Sequence, residues 1–340
     1  MGEFELLEAI RSRLPAAGPR VRLGSGDDAA ISVPGGATAT SVDALIEDVH
    51  FRRGSGSLEQ VGRKALAVAL SDLAAMGAEP GEAYVVLGIP RDLDEQGCME
   101  LVDGMTALAT ETGTTLAGGD VTRAAALTLA MTVVGHAEAA EAFVTRSGAR
   151  PGDALMVTGE LGAAAAGLLI LEAPPAAPSR FGPLSGPNLD GAQSQSLVAR
   201  QLEPSPRLEA GRALAELGAT AMIDLSDGLG GDAGHIAAAS GVGLRIDASA
   251  LPIQAGVAEV AAAAGRDPLE LAAAGGEDYE LLATLPVERI DAAIGALEAK
   301  GVRLTRIGEA LAGEGVEIKL PGGGNLRPSG FDQLRWRAPP

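Results

Sequence analysis

The feature that most constrains this chain is an acidic motif that occurs once in each half. Leu-Ser-Asp ends at Asp72 and again at Asp227, and each copy is followed by a Gly-Gly-acid triplet. The triplets end at Asp120, after 48 residues, and at Glu277, after 50 residues. A further acid, Asp224, follows an apolar run and precedes Asp227 by three residues. The pattern predicts two halves with similarly spaced acidic motifs, suited to binding a cation or a phosphate.

Composition limits the class of protein. The 340 residues suffice for two domains, and 46% of them are apolar, which predicts a globular chain. No apolar run approaches the ~18 residues of a membrane span, and residues 1–5 lack the basic start of a signal peptide. The single cysteine, Cys98, excludes an internal disulfide and fits a reducing compartment, so we predict a cytoplasmic location and no membrane partner.

The net charge of −19 disfavours nucleic acid as a partner, because nonspecific binding needs a basic face. The charge has a second explanation in a GC-rich coding bias, since lysine occurs only at Lys64, Lys300 and Lys319 and Ala and Gly are abundant. The functional prediction therefore depends on individual acids and where they are placed.

Strands and helices alternate in both halves, so we predict mixed α/β layers. The sequence predicts helices over 3–14, 58–76, 93–112, 161–171, 206–217, 257–264, 268–274 and 288–300, and strands over 37–45, 82–89, 114–116, 127–135, 154–158 and 219–223. A Pro-Gly-Asp turn at 151–153 predicts two domains, 1–149 and 150–340. Residues 173–195 are rich in Pro, Ser, Gly and Asn, and we predict an irregular excursion without an assigned role.

Asp72 is the acid with the least local explanation. The segment 65–76 is apolar almost all round its predicted helix, so it should be buried. A buried carboxylate is costly unless it is paired or binds a metal. Two interpretations remain at this stage, a buried ion pair with an arginine and a metal or ligand site.

The other acids have local alternatives. Asp28 lies in a glycine-flanked turn, Asp43 lies at a predicted strand end, and Asp120 follows paired glycines that let a backbone approach a phosphate. Asp227 has a helix N-cap as its alternative. Asp224 has no such alternative.

Two basic side chains and several missing motifs complete the prediction. His50 is either a packed or solvated histidine or a functional one, and Arg146 is either a surface arginine or a planar fork for phosphate. The sequence has no Gly-x-x-x-x-Gly-Lys-Ser/Thr loop and no zinc-spaced His/Cys cluster. A carboxylate-rich, lysine-poor site favours several Mg²⁺ ions that neutralise polyphosphate, which is much of what phosphoryl transfer requires.

Seven segments with recognisable patterns follow one another in a fixed order: 26–30, 41–43 with 49–51, 70–78, 118–120, 145–149, 223–229 and 275–281. Together they resemble the thiamine-monophosphate kinase family of the aminoimidazole-ribonucleotide synthetase-like superfamily, over nearly the whole chain. The most specific runs are Asp-Leu-Ser-Asp-Gly (224–228) and Gly-Gly-Glu-Asp-Tyr-Glu-Leu (275–281), with His50-Phe51.

The resemblance implies a fold, an activity and partners. The fold would be a two-domain synthetase-like α/β fold, with an N-terminal sheet that forms a barrel between the subunits of a homodimer and a C-terminal α/β sandwich. The activity would be ATP-dependent phosphorylation of thiamine monophosphate to thiamine diphosphate, in thiamine diphosphate biosynthesis. We expect direct in-line transfer without a strong general base, because the acceptor phosphate is already an anion.

The resemblance also implies three sets of site residues. Several Mg²⁺ ions would be held by Asp28, Ser41, Val42, Asp43, Asp72, Asp120, Asp224 and Asp227. ATP would contact Gly119, Asp120, Arg146 and Ser226. The substrate would contact His50, Glu277 and Phe331, with Trp336 as a weaker candidate for the aromatic contact.

One departure from the family and several rivals bear on this prediction. Many relatives have threonine where this chain has Val42, so only the backbone carbonyl could coordinate there. A selenophosphate synthetase would want a reactive N-terminal Cys, and a hydrogenase-maturation relative would want a C-terminal Cys; neither occurs. A purine-pathway synthetase and a non-enzymatic metal- or nucleotide-binding protein remain as alternatives.

Overall fold

The computed structural model describes residues 3–25, 29–173 and 190–330, and the chain divides into two compact units. The N-unit comprises Met1–Ala74 and Ala78–Phe143, and the C-unit comprises Ala75–Gly77 and Val144–Pro340. The functional boundary expected between residues 149 and 150 stays a prediction. Within the described residues, no helix combines the length and the apolar character needed to cross a bilayer.

The N-unit is built on a four-stranded sheet. Its helices are α1 (Glu3–Arg13), α2 (Leu58–Ala75) and α3 (Glu95–Thr112), and its strands are β1 (Val21–Leu23), β2 (Ile31–Ser32), β3 (Ala37–Ile46), β4 (Glu79–Ile89), β5 (Thr115–Arg123) and β6 (Thr128–Ala137). The sheet has the order β3-β6-β4-β5, and only the β4–β5 pair is parallel. Strands β1 and β2 form a separate antiparallel ribbon.

The two faces of this sheet differ in burial because side chains alternate along a strand. Leu45 on β3 and Met131 on β6 are buried on one face. The same face meets α2, where Leu73 lies beside Gly135 of β6. On the opposite face Val42 is 68% exposed and Val86 of β4 is 42% exposed. One face of the sheet is therefore packed and the other is open.

The C-unit is built on a seven-stranded sheet. Its helices are α4 (Ala163–Glu172), α5 (Gly191–Leu202), α6 (Leu208–Glu216), α7 (Leu229–Ser240), α8 (Val257–Ala264), α9 (Pro268–Ala274) and α10 (Ile290–Glu298). Its strands are β7 (Ala154–Thr158), β8 (Ala221–Asp224), β9 (Gly243–Asp247), β10 (Leu281–Leu285), β11 (Leu304–Leu311), β12 (Gly315–Lys319) and β13 (Asn325–Leu326). The order is β13-β12-β9-β11-β7-β10-β8, with β9–β12 the parallel pair.

Two apolar clusters hold the C-unit together. One joins the sheet to α7 and includes Ile223, Leu244, Leu282 and Ile236. The other lies among α4, α5, α8 and α9 and is rich in alanine, as expected for a chain with only 2% aromatic residues. Close-packed alanine and leucine stabilise such layers at about 25 cal/mol per Å² of apolar surface removed from water. The mixed α/β architecture predicted from the alternation of elements is confirmed.

Three local predictions were wrong. Asp43 lies inside β3 rather than at its end. The strand predicted over 114–116 runs on through 118–120 to Arg123, because β5 pairs with β4 along that whole length. Residues 191–195, expected in the irregular excursion, begin α5, where Asp190 caps the helix by accepting the Gln193 N–H at 2.7 Å.

Candidate active site

In the N-unit the structure brings together Ser41, Asp43 and Asp72. Ser41 and Asp43 are two positions apart on β3 and share the packed face, and the Ser41 hydroxyl donates to Oδ2 of Asp72 on α2. Burial, followed by the nearby charge of Asp72, raises the pKa of Asp43 to about 6, with a smaller opposing effect from the Ala44 N–H. Two carboxylates this close repel one another when both are ionised.

This donor set fits a hard divalent cation. Two carboxylates and a hydroxyl are the oxygen ligands that Mg²⁺ takes, and a bound cation would relieve the repulsion between Asp43 and Asp72. In the described part of the chain, the hydrogen-bond partner of Asp72 is a hydroxyl and not an arginine. Among the residues that the structure describes, the interpretation of Asp72 as the partner of a buried arginine is therefore wrong.

Asp120 lies elsewhere on the same sheet. It is opposite Val86, which is opposite Ala130, which is opposite Ala44. Residues that face one another across strands point to the same side of a sheet, so Asp120 belongs to the open face and Asp43 to the packed face. Within one chain, the structure does not bring Asp120 into the cluster of Asp43 and Asp72.

The remaining N-unit candidates divide between the two faces. Val42 lies on the open face, so its side chain points away from Ser41. Gly119 pairs with Val85 so closely that a Cβ would collide with the Val85 carbonyl oxygen. His50 is half-buried just beyond β3, and its Nδ1 accepts the Ile46 N–H at 3.1 Å. In a neutral imidazole that bond leaves Nε2 as the N–H donor.

In the C-unit the candidate residues gather at the loop between β8 and α7. Asp224 is the last residue of β8 and is buried, while Ser226 and Asp227 are half-buried. The N-cap of α7 is Gly228, so the interpretation of Asp227 as the cap is wrong. A carboxylate from the first turn of α7, Asp232, accepts the N–H groups of residues 226–228 at 3.1 Å each.

The carboxylates around this loop also repel one another. Burial raises the pKa of Asp232 to about 7, and the charges of Asp224 and Asp227 add to that effect. One ligand atom each from Asp227, Asp232 and His235 lie within 4.8 Å of one another. With Asp232 bound to the backbone of the loop, Asp224 and Asp227 offer the carboxylate oxygens that fit Mg²⁺, as in the N-unit cluster.

Glu277 lies next to this loop in a strained conformation. Its φ is 66°, a left-handed value that is uncommon for a residue with a side chain. Its N–H donates to the Ser226 carbonyl oxygen at 2.8 Å, and its carboxylate accepts from Nε2 of Gln201 on α5 at 2.5 Å. These contacts stabilise the unusual backbone conformation of Glu277. They also keep Glu277 beside Ser226, where its side chain is a candidate ligand contact.

Two buried acids after Glu277 anchor the segment that carries it. Asp278 accepts the N–H groups of Gly162 and Ala164 at 2.8 and 3.2 Å, and its burial raises its pKa to about 7. Glu280 is fully buried and accepts hydrogen bonds from Thr158, Arg200 and Arg207. These acids are structural and are not part of the predicted ligand set.

Arg146 lies at the far end of α7 from the acidic loop. Its side chain is exposed, and its carbonyl oxygen accepts from Ser240 Oγ at 3.1 Å. Ser240 is the last residue of α7, and twelve residues of helix span roughly 18 Å. Arg146 and Ser226 could therefore contact one nucleotide only at separate points of an extended molecule.

Two predicted site residues, Asp28 and Phe331, lie outside the described residues, as does Trp336. Sequence reasoning missed Asp232 and Gln201. The signal for Asp232 was present, because an acid in the first turn of a helix suits its N-terminus. No sequence signal marks Gln201, since its contact with Glu277 depends on how α5 packs.

The fold and the two acidic clusters define a class. The chain matches the model of AIR synthase related protein, N-terminal domain, over residues 26–137, and that of the C-terminal domain over residues 150–321. It is thus built from the two domains of an AIR synthase related protein.

Similarity to individual proteins narrows the class. The chain is 39% identical to the thiamine-monophosphate kinase of Escherichia coli (strain K12), covering 92% of this chain and 91% of the relative. A crystal structure of thiamine-monophosphate kinase from Stenotrophomonas maltophilia K279a superimposes with a TM-score of 0.80 at 37% identity, covering 94% and 96%. A structure described as AaThiL complexed with AMPPCP and TMP gives a TM-score of 0.74 at 29% identity, covering 97% and 96%. The chain belongs to the thiamine-monophosphate kinase family.

Proposed function

We propose that this chain transfers the γ-phosphoryl group of ATP to thiamine monophosphate and so produces thiamine diphosphate. The observation that carries the proposal is similarity over both units to proteins named for this reaction. One of the solved relatives is described as a complex with AMPPCP and TMP. The acidic clusters of the two units supply the chemistry that a reaction between polyphosphates requires.

The residues of each unit have proposed roles. In the N-unit, Ser41, Asp43 and Asp72 would hold Mg²⁺, with Asp120 and the Val42 carbonyl as further ligands. In the C-unit, Asp224 and Asp227 would hold Mg²⁺. Gly119, Asp120, Arg146 and Ser226 would contact ATP, and His50 and Glu277 would contact the substrate. Asp28 as a metal ligand and Phe331 as a substrate contact stay predictions.

Binding and orientation account for most of the proposed mechanism. Mg²⁺ held by these carboxylates would supply positive charge that neutralises the oxygens of the transferred group. The chain keeps its ligands in place through the Ser41–Asp72 hydrogen bond and through the hydrogen bonds around residues 225–228. The imidazole of His50 and the arginine fork of Arg146 carry N–H groups of the kind that donate to phosphate oxygens. The acceptor phosphate is an anion, so no residue is assigned as a general base.

The test of this function is product formation. The protein, incubated with ATP, Mg²⁺ and thiamine monophosphate, is expected to form thiamine diphosphate and ADP in equal amounts, as measured by chromatography. Omission of thiamine monophosphate, or its replacement by unphosphorylated thiamine, should abolish turnover. ATP consumption that does not depend on thiamine monophosphate would contradict the proposal and favour a non-kinase member of the superfamily.

We also propose that the active form is a homodimer located in the cytoplasm. The open face of the N-unit sheet exposes Val42 on β3 and Val86 on β4, with β6 between them, and apolar side chains on an open sheet face favour a covering partner. A second copy on this face would also meet Asp120, which lies apart from the packed-face acids of its own chain. This arrangement supports the expected barrel of two sheets.

The dimer is tested by one charge on the open face. Wild-type protein is expected to have twice the chain mass by light scattering, and Val86→Glu should shift it to a single chain because a carboxylate would be buried at the interface. Thr110→Glu, an exposed change on α3 of the same unit, is the matched control and should leave the mass unchanged. A single-chain mass for the wild type would contradict the proposal.

A further inference from the structure

The loop between β8 and α7 is fixed on one side by the segment after Gly276. The Glu277 N–H donates to the Ser226 carbonyl oxygen at 2.8 Å, and the Tyr279 N–H donates to the Leu225 carbonyl oxygen at 2.9 Å. The carbonyl oxygens of Leu225 and Ser226 are therefore occupied by the chain itself.

Three successive N–H groups of the same loop meet one atom on the other side. Oδ2 of Asp232 accepts from the N–H of Ser226, Asp227 and Gly228, each at 3.1 Å. The side chain of Asp232 is held in the first turn of α7, and the residue is only 2% exposed. Three successive N–H groups that converge on one point form a nest, a backbone concavity that ordinarily binds an anion such as phosphate.

An internal carboxylate thus occupies the place of an external anion. With its N–H groups and carbonyl oxygens engaged, the backbone of the loop has little left to offer a phosphate. What the loop can offer a ligand is side-chain oxygen, from Asp224, Ser226 and Asp227. Such oxygens suit a cation and not an anion.

We propose that Asp232 is a positioning residue that fills this nest and thereby sets the loop in its metal-binding form. The inference rests on the proposed kinase function, because it concerns the residues assigned there to Mg²⁺. In this role Asp232 contacts neither metal nor substrate. It acts by holding the backbone of residues 226–228 in place. What matters is an acceptor oxygen at that point, and the negative charge of Asp232 is secondary.

Two substitutions separate the acceptor from the charge. Asp232→Asn keeps an oxygen at the same distance from the backbone and removes the charge. Asp232→Ser has too short a side chain to reach the three N–H groups and leaves room for water. Asp153→Ser is the matched control, because Asp153 is also a buried acid of the C-unit and accepts the Arg150 N–H at 2.9 Å, outside the proposed site.

The first measurement is Mn²⁺ binding to the nucleotide-free protein, followed by electron paramagnetic resonance, with Mn²⁺ as the probe in place of Mg²⁺. Asp232→Ser is expected to weaken the binding about 10- to 100-fold, the usual effect of removing a residue that orients metal ligands. Asp232→Asn should stay within about 3-fold of wild type, on the scale of one hydrogen-bond acceptor retained. Asp153→Ser should bind as the wild type does.

The second measurement is steady-state kinetics with thiamine monophosphate. Asp232→Ser should lower kcat by a similar factor and raise the Mg²⁺ concentration for half-maximal rate, while the KM for thiamine monophosphate changes little. A purely structural role would lower the amount of active protein without this split. Equal losses in Asp232→Asn and Asp232→Ser would overturn the inference, because Asp232 would then act by its charge or as a ligand. Wild-type behaviour of both variants would overturn it as well.

The outcomes distinguish this inference from the proposed function. If the wild type forms thiamine diphosphate and the Asp232 variants bind Mn²⁺ normally, only the inference fails. If the wild type forms no product, the kinase function fails, and Mn²⁺ binding still decides the role of Asp232. Should Asp232→Ser not fold, Asp232→Glu takes its place, because it keeps the charge and moves the acceptor oxygen away from the three N–H groups. Mn²⁺ binding weakened about 10-fold or more in Asp232→Glu, with Asp232→Asn within about 3-fold of wild type, supports the inference. Binding within about 3-fold of wild type in both variants, or an equal loss in both, overturns it.

Discussion

Replacement of Asp72 by asparagine is expected to lower the rate of thiamine diphosphate formation at least about 100-fold, since loss of a residue that merely supports a metal site already costs 10- to 100-fold. The amide has the shape of the carboxylate and can still accept from Ser41, so the packing of α2 on β3 should persist. What is lost is the negative charge that, with Asp43, forms the N-unit cation site.

The measurement is kcat with ATP and thiamine monophosphate at limiting Mg²⁺, together with the thermal unfolding curve. Without Mg²⁺, the midpoint of thermal unfolding should be unchanged or slightly higher, because the repulsion between Asp43 and Asp72 is removed. For the same reason the pKa of Asp43, raised to about 6 partly by Asp72, should fall towards its ordinary value of 3.8 in the variant. Asp103→Asn, at an exposed acid of the same unit that pairs with Arg13, is the control.

Asp224→Asn tests the C-unit cluster in the same assay. Asp224 is buried at the end of β8, and a similar loss of turnover is expected. Near-normal turnover in both variants at limiting Mg²⁺ would show that these carboxylates do not hold the cations of the reaction.

Replacement of Glu280 by alanine is expected to destabilise the protein by about 3–5 kcal/mol, the usual cost of removing one partner of a buried ion pair. The carboxylate of Glu280 is fully buried and accepts hydrogen bonds from Thr158 Oγ1 at 2.7 Å, from Arg200 at 2.7 Å and from two nitrogens of Arg207 at 2.5 and 2.7 Å. Its removal leaves two largely desolvated guanidinium groups without a counter-charge.

The measurement is the midpoint of thermal unfolding, for which a loss of this size corresponds to roughly 6–20 °C in a unit of this length. Glu309→Ala is the matched control, because it breaks the Arg245–Glu309 pair, which is much more exposed and should contribute at most about 1 kcal/mol. Equal shifts for the two variants would mean that the Glu280 network does not stabilise the segment that carries Glu277.

The sequence predicts most accurately the helices and strands whose ends are determined by neighbouring residues in the chain. Helix α8 ends at Ala264 and is capped by Gly265, α9 begins with Pro268 after Asp267, and both run over the predicted residues. Glycine in a left-handed C-terminal position and an aspartate before a first-turn proline are signals that need no tertiary partner. Strand β7, a short buried apolar run, was also predicted at its observed bounds.

Prediction failed where a distant segment decides the outcome. Paired glycines at 118–119 suggested the end of a strand, yet β5 continues because β4 supplies its hydrogen-bond partners. The helix start at Asp190 was hidden by the polar composition around it, although its capping box is formed by local residues. Strands β12 and β13 were not predicted, since β12 gains its place by pairing with β9.

For the functional site, the sequence by itself determined which residues are chemically able to bind a cation. These are acids in similarly spaced motifs of the two halves, in a sequence with no lysine-containing phosphate loop. Residue types and their spacing carry that information, because the ligands a cation accepts depend on the atoms offered. Only the tertiary structure decided which acids meet. The packing of α2 on β3 puts Asp72 beside Asp43, and strand register turns Asp120 to the other face of the sheet. The convergence of three N–H groups on Asp232 exists only once β8 and α7 are formed. The distances between these acids and the directions of their side chains depend on how the chain packs, so they cannot be obtained from the order of residues alone.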